Sequence, residues 1–249
     1  MRAMDRRDFI KSSGALLAGA SGALSLPVLS SCAPAESGAQ SVLAGRRYGM
    51  LIDLTKCRPG CTACMDACRQ ENNVAYHHDD RWDVHWIRKV SIRPKEGPGA
   101  DGEKSVILMC NHCDDPPCAQ VCPVQATYKR EDGIVLVDHH RCIGCRYCMI
   151  ACPYNARFFN YKESEEWPNK EYPKRSHGVA ESCNFCAHLV DQMKPPACVA
   201  ACEAVGAGAL VFGDLNDPES DVSRLIEENS VKRIREDWGT APKVYYIGL

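Results

Sequence analysis

Sixteen of the seventeen cysteines in this 249-residue chain stand in four groups of four. The groups are Cys57, Cys61, Cys64 and Cys68; Cys110, Cys113, Cys118 and Cys122; Cys142, Cys145, Cys148 and Cys152; and Cys183, Cys186, Cys198 and Cys202. Ordinary core burial does not satisfy thiolates gathered this closely. They require a partner that takes four sulfurs at once, and an iron–sulfur cluster does so.

The third group is the most specific. Cys142-x2-Cys145-x2-Cys148-x3-Cys152-Pro153 is the bacterial ferredoxin run, whose fourth cysteine serves the neighbouring cluster. Three cysteines at two-residue intervals on a tight loop reach three corners of one cubane, and Gly144 lets the backbone pass close to it. The fourth falls on the short helix leaving the loop, which Pro153 ends. The second group, Cys110-x2-Cys113-x4-Cys118-x3-Cys122-Pro123, finishes the same way. Between these two, Asp132-Gly133 reads as a hairpin turn and Ile134 to Val137 as a short buried strand. Motif, hairpin, motif is the layout of a two-cluster ferredoxin. The first group has Pro59-Gly60 in its lengthened opening, and the fourth has Pro195-Pro196 in its long gap. Both are looser, and they are expected to pair with each other.

Crossing the fourth cysteine of each group predicts four [4Fe–4S] ligand sets. These are Cys57, Cys61, Cys64 with Cys202; Cys183, Cys186, Cys198 with Cys68; Cys110, Cys113, Cys118 with Cys152; and Cys142, Cys145, Cys148 with Cys122. The fold class expected is α+β: two nested ferredoxin-like units with β-hairpin and loop insertions. Residues 47–109 plus 154–249 form the outer unit and 110–153 the inner one.

Disulfides and zinc are the rival readings. Disulfide-rich scaffolds are usually small, and runs of four cysteines at short intervals favour local ligation over distant crosslinks. Zinc ribbons use two separated pairs, which Cys142-x2-Cys145-x2-Cys148 is not. No CxxC here is followed by His, so c-type haem attachment is excluded. A single vacant or altered cluster site falls more naturally in group one or four.

Nothing beyond the cysteines has the look of a substrate site: GxGxxG, P-loop and HExxH are all missing. His112, His139, His140, Arg141, Arg146 and Tyr147 flank ligands and are candidate donors to cluster sulfur, with plain polar surface as the bland alternative. Four centres in one small protein make sense as a wire needing no catalytic residue.

The elements that must position these centres are short. Trp82 to Ile87 and Val90 to Ile92 alternate apolar and polar, Lys95 to Glu103 is Gly/Pro-rich, and Val106 to Met109 returns, which predicts a hairpin excursion able to serve as a docking surface. Residues 157–182 read as a charged and aromatic surface loop. Ala209 to Gly213 is a strand candidate. A helix follows to about Asn229, with Asp217 as cap and Pro218 in its first turn. Val244 to Ile247 is a last strand. Phenylalanine is scarce and cysteine supplies much of the hydrophobic fraction, so the conventional core is thin and bound metal must contribute to folding. The net charge of −2 gives no reason to expect nucleic acid as a partner.

Residues 1–31 read as an address. Arg6-Arg7 before Phe9-Ile10-Lys11, followed by a soft apolar run rich in Gly, Ala and Ser, has the form of a twin-arginine export signal, and the small residues make a poor bilayer span. The expected location is periplasmic, at the outer face of the cytoplasmic membrane. Leu29-Ser30-Ser31-Cys32 is lipobox-like, making Cys32 a candidate for lipidation, with Ala33-Pro34-Ala35 as a competing cleavage site. Residues 32–46 form a linker.

Several stretches together carry a family likeness. They are Cys110-Asn111-His112-Cys113, Pro116-Pro117-Cys118, Lys129 to Val135, Cys142 to Cys148, Cys152-Pro153-Tyr154, Cys183-Asn184-Phe185-Cys186 and Pro196-Ala197-Cys198. Over residues 47–249 the chain resembles the four-cluster ferredoxin-like subunits of DMSO reductase and polysulfide reductase type. The export signal, the Cys57-x3-Cys61 opening, Trp86 to Val90 and Phe212 to Pro218 resemble most the periplasmic iron–sulfur subunit of the Dsr sulfur-metabolism complex, the DsrO type. That resemblance implies an integral membrane quinone-interacting subunit, a multihaem cytochrome c and further subunits as partners. The alternative is the electron-transfer subunit of an exported molybdopterin reductase, such as tetrathionate reductase. A zinc or disulfide structural lipoprotein is the reading from another class.

Overall fold

Tyr48–Asp53 is a six-residue run buried at every position, and it forms β1. A largely apolar run of this length, ending in the buried Asp53, suits a strand covered on both faces. β1 takes β8 (Leu210–Asp214) antiparallel on one side and β10 (Val244–Ile247) parallel on the other. β9 (Val231–Lys232) completes the order β8-β1-β10-β9. The first and last strands therefore pair within one sheet, and the cysteine-bearing segments between β1 and β8 loop out from it. The computed structural model describes residues 45–92 and 104–249. The export segment, most of the linker, Cys32 and the Lys95 to Glu103 loop lie outside the described residues.

Helices carry the cysteines. α1 (Ala63–Asn72) and α5 (Ala197–Ala204) pack together and bring Cys64 and Cys68 beside Cys198 and Cys202. α2 (Pro117–Gln120) packs on α3 (Tyr147–Ala151) in the same way for groups two and three. Pro117 opens α2, where its missing N–H costs nothing. Cys152 lies just past α3 with extended backbone rather than on the helix itself.

The expected hairpin between groups two and three is present as β4 (Thr127–Lys129) and β5 (Val135–Val137). Gly133 turns it with φ of +81°, a conformation that favours glycine. Lys243, fully buried just before β10, donates from Nζ to the Gly133 carbonyl at 2.6 Å and pairs with Asp114 at 3.2 Å. Arg47 holds the other oxygen of Asp114 at 2.9 Å. This network fastens the inner hairpin to the main sheet.

The excursion before group two pairs β2 (Arg88–Ile92) with β3 (Lys104–Leu108). Trp82 to Ile87 is not strand: Val84, Trp86 and Ile87 turn into the core, the Trp82 and Asp83 N–H groups bond back to the Asp79 carbonyl in a turn, and Val84 N–H reaches the Ala75 carbonyl. The hairpin also acts as a staple. Lys89 Nζ donates to the Arg58 and Cys61 carbonyls, and Arg88 to those of Tyr154 and Asn155.

Residues 157–182 depart from a plain surface loop. A two-residue ladder joins β6 (Phe158–Phe159) to β7 (Ala180–Glu181), and Arg157, Asn160, Ser164 and Arg175 are buried. α4 (Ala187–Val190) follows group four's first pair. The last helix, α6, runs Asp221–Glu228. Ser220, not Asp217, caps it by accepting the Ser223 N–H, because Asp217 is occupied by the Glu219 N–H in the preceding turn.

The main core joins Met50, Ile52, Ile107, Ile134, Phe185 and Tyr246 to several of the cysteines, so sulfur and hydrocarbon form one interior. Glu181 intrudes on it. Its Oε2 accepts the Trp86 indole N–H at 3.2 Å, and its Oε1 has no partner. Burial pushes its carboxyl up to about 6, against the opposing pull of Arg175 and the Trp86 bond. An acid whose pKa rises on folding favours the fold while protonated, and loses that stability as pH climbs from its unfolded value through its folded one. Wild-type protein should therefore lose about 2 kcal/mol between roughly pH 4.5 and 7 through this group. Glu181→Gln should remove that loss. Anaerobic thermal melts of both proteins across this range should show the variant gaining on wild type only at the upper end.

Candidate metal centre

The structure brings cysteines together across the sequence groups. Burial first, then the neighbouring Cys202, Cys57 and Cys61, pushes the Cys64 thiol up to about 11. The Cys68 thiol is raised by burial and then by Cys183, Cys186 and Cys198. Burial and then Cys118 and Cys152 act on Cys113, also pushed up to about 11 despite hydrogen bonding from Thr240. One cavity is lined jointly by Cys110, Cys113, Cys118 and Cys152, with Tyr154 and Arg157 beside them. Cys148 is raised to about 11 by burial, with Cys118, Cys142 and Cys145 adding to it against Arg157. Cys122, the remaining member expected there, sits just beyond α2, which packs on α3. Its thiol is held below the ordinary value: burial would raise it, but hydrogen bonds from the Thr127, Val124 and Ala126 backbone outweigh that.

These sets follow one another in a line. The charge of Cys64 acts on Cys198, which joins the Cys64 set to the Cys68 set; Cys110 with Cys183 joins that to the Cys118 set; Cys148 with Cys118 reaches the Cys148 set. Exposure follows the line. Cys57 and Cys61 at one end are half-buried, the middle cysteines are mostly buried, and Cys145 at the far end is exposed. Ile143, Tyr147 and Ile150 are exposed around that far end.

The chemistry of the donors fits polynuclear iron. All sixteen cysteines are free of disulfides. Sulfur receives directed N–H groups: Ala209 to Cys202 at 3.3 Å, Ala180 to Cys142 at 3.4 Å, Ala126 to Cys122 at 3.2 Å, Asn72 Nδ2 to Cys186 at 3.3 Å. A neutral thiol is a weak acceptor, so donors aimed at it favour the thiolate that binds metal. Thiol pKa values near 11 also mean that the buried sites hold protons until metal displaces them.

Gly144 is crowded by the segment after group three, where its close approach was expected to be to a cluster. Its φ is +70°, and a Cβ there would lie 2.5 Å from the Gly178 carbonyl. His112 does not fit the polar-surface alternative. It is fully buried, stacks on Phe185 at 3.6 Å, and accepts the Val135 N–H on Nδ1. His139 is pushed down to about 4 by burial and then by Arg175, while His140 is exposed. Neither Arg141 nor Tyr147 touches sulfur, and Arg146 reaches the Tyr161 hydroxyl instead. Sequence reasoning missed Asn72, Arg157 and Arg175. Asn72 stands one helical turn after Cys68 and was findable from that spacing. The two arginines carry no local signal.

Residues 105–215 match the 4Fe-4S dicluster domain family. The Hdr-like menaquinol oxidoreductase iron-sulfur subunit 1 of Archaeoglobus fulgidus is 40% identical, over 99% of this chain and 98% of its own length. A tetrathionate reductase subunit of Salmonella typhimurium is 37% identical over 98% of this chain and 88% of its own. The menaquinone reductase iron-sulfur cluster-binding subunit of Nitratidesulfovibrio vulgaris is 38% identical over 81% and 88%. With a 4Fe-4S dicluster domain match and relatives 37–40% identical over four fifths or more of the chain, the chain belongs to the iron–sulfur subunits of quinol oxidoreductase and reductase complexes.

Proposed function

We propose that the chain is an electron relay carrying four [4Fe–4S] clusters on the four crossed ligand sets, in two nested ferredoxin-like units of residues 47–109 with 154–249 and residues 110–153. The line of thiol neighbours from the half-buried Cys57 end to the exposed Cys145 end is the observation that carries the reading. The clusters supply one-electron chemistry when bound. The chain's residues hold them, exclude water from the middle of the line, and direct N–H groups at sulfur. It needs no substrate site of its own.

The partners proposed are an integral membrane quinone-interacting subunit and a multihaem cytochrome c, in a Dsr-type sulfur-metabolism complex, with this chain as its DsrO-type subunit. Support comes from the menaquinol and menaquinone functions that two relatives are named for, and from the motif likeness of the Cys57 opening, Trp86 to Val90 and Phe212 to Pro218. The twin-arginine pattern supports a periplasmic location, with Cys32 as a lipid anchor site. No helix among the described residues is long and apolar enough to cross a membrane. A second reading, service to a molybdopterin reductase, is favoured by the match to the tetrathionate reductase relative.

Two experiments test these points. Anaerobic affinity isolation from native membranes should recover a haem protein with a polytopic subunit; recovery of a molybdopterin subunit instead selects the second reading. Cys152→Ser should alter the paramagnetic signal of the Cys110, Cys113, Cys118 centre. Damage confined to the Cys142, Cys145, Cys148 centre would refute the crossing.

A further inference from the structure

Arg157 is the one formally charged side chain among the described residues that donates a hydrogen bond to a cysteine sulfur. Its Nη2 lies 3.1 Å from Cys118 Sγ. The residue is only 3% exposed, and its Nε and Nη1 have no partner. It makes no ion pair with a carboxylate among the described residues. A buried guanidinium without an anion is strongly unfavourable, so something in this interior must supply negative charge. Arg157 lines the cavity shared by Cys110, Cys113, Cys118 and Cys152, and its charge also acts on Cys148 of the next set. The other sets differ. Cys202, Cys142 and Cys122 receive backbone N–H groups, and Cys186 a neutral amide. Arg175 approaches the Cys68 set, but its guanidinium lies over Trp86 and Tyr172 and donates Nε to the Asn72 carbonyl.

We propose that Arg157 is a fixed internal counter-cation that raises the reduction potential of the Cys118 centre and, to a smaller degree, that of the Cys148 centre. The inference rests on the relay reading and deepens it. An electron added to a cubane held by four thiolates makes an anionic assembly more anionic. A guanidinium already in place favours that step without a proton, a bond change or a moving group. Arg157 is thus a positioning and tuning residue acting through Cys118.

The test is a dithionite titration of anaerobic holoprotein followed by paramagnetic resonance, with iron and sulfide counted first. The Cys118 centre is identified by the signal that Cys113→Ser alters. A unit charge about 6 Å away at an effective dielectric constant of about 20 corresponds to about a hundredfold in the equilibrium constant. Arg157→Gln should disfavour reduction of the Cys118 centre by about that factor, or about 120 mV at about 59 mV per tenfold for one electron. The Cys148 centre should shift less, and the Cys64 and Cys68 centres should stay put. Arg157→Lys keeps the charge and should remain within about tenfold of wild type. Full iron content with unmoved potentials in Arg157→Gln overturns the inference and leaves the relay reading intact; equal shifts in all four centres overturn it too. Missing iron in the wild type defeats the relay reading itself. Should Arg157→Gln fail to assemble, wild-type protein labelled with [15N]arginine decides: the reduced Cys118 centre should show hyperfine coupling to 15N, and its absence overturns the inference.

Discussion

Buried sulfur governs this fold. Cys68, Cys110, Cys183 and Cys198 lie within the main core, and burial drives their thiols far from ionisation. Elsewhere in the same sets the surroundings suit thiolates: a backbone amide points at Cys122, a side-chain amide at Cys186 and a guanidinium at Cys118. A cationic cluster core within each set satisfies both. Metal binding deprotonates the thiol and neutralises the resulting charge, and its free energy becomes folding free energy. Short helices such as α2 and α3 need that help, since four or five residues cannot sustain a helix alone.

The sheet and the staples serve the same end. β1 and β10 pair across nearly the whole described chain, which fixes where the helices bearing the groups leave and return. Lys243 ties the inner hairpin to this sheet, and Arg88 and Lys89 tie the excursion hairpin to loops of groups one and three. Polar bonds to backbone carbonyls thus hold the loops that a thin apolar core would leave loose.

Much of the site was legible because ligation is encoded locally. The runs at two- and three-residue spacing identify the loops, and the Cys-Pro endings of groups two and three point to the crossing. The Asp132-Gly133 turn, β8 and β10 follow from equally local signals. What stayed hidden depends on distant contacts. β1 is a central strand only because β8 and β10 flank it. Trp82 to Ile87 alternates like a strand but has no ladder partner. Both Asp217 and Ser220 are good caps, and only the turn around Glu219 decides between them. Arg157 looks like any surface arginine until residues far along the chain close over it.

The central claim is that the sixteen cysteines cage iron as [4Fe–4S] centres. Elemental and acid-labile sulfide analysis of anaerobically isolated protein tests it most directly. The account predicts about sixteen iron atoms and as many sulfides per chain, four of each for each of four cubanes. Negligible iron and sulfide, or stoichiometric zinc in a colourless protein, would contradict it.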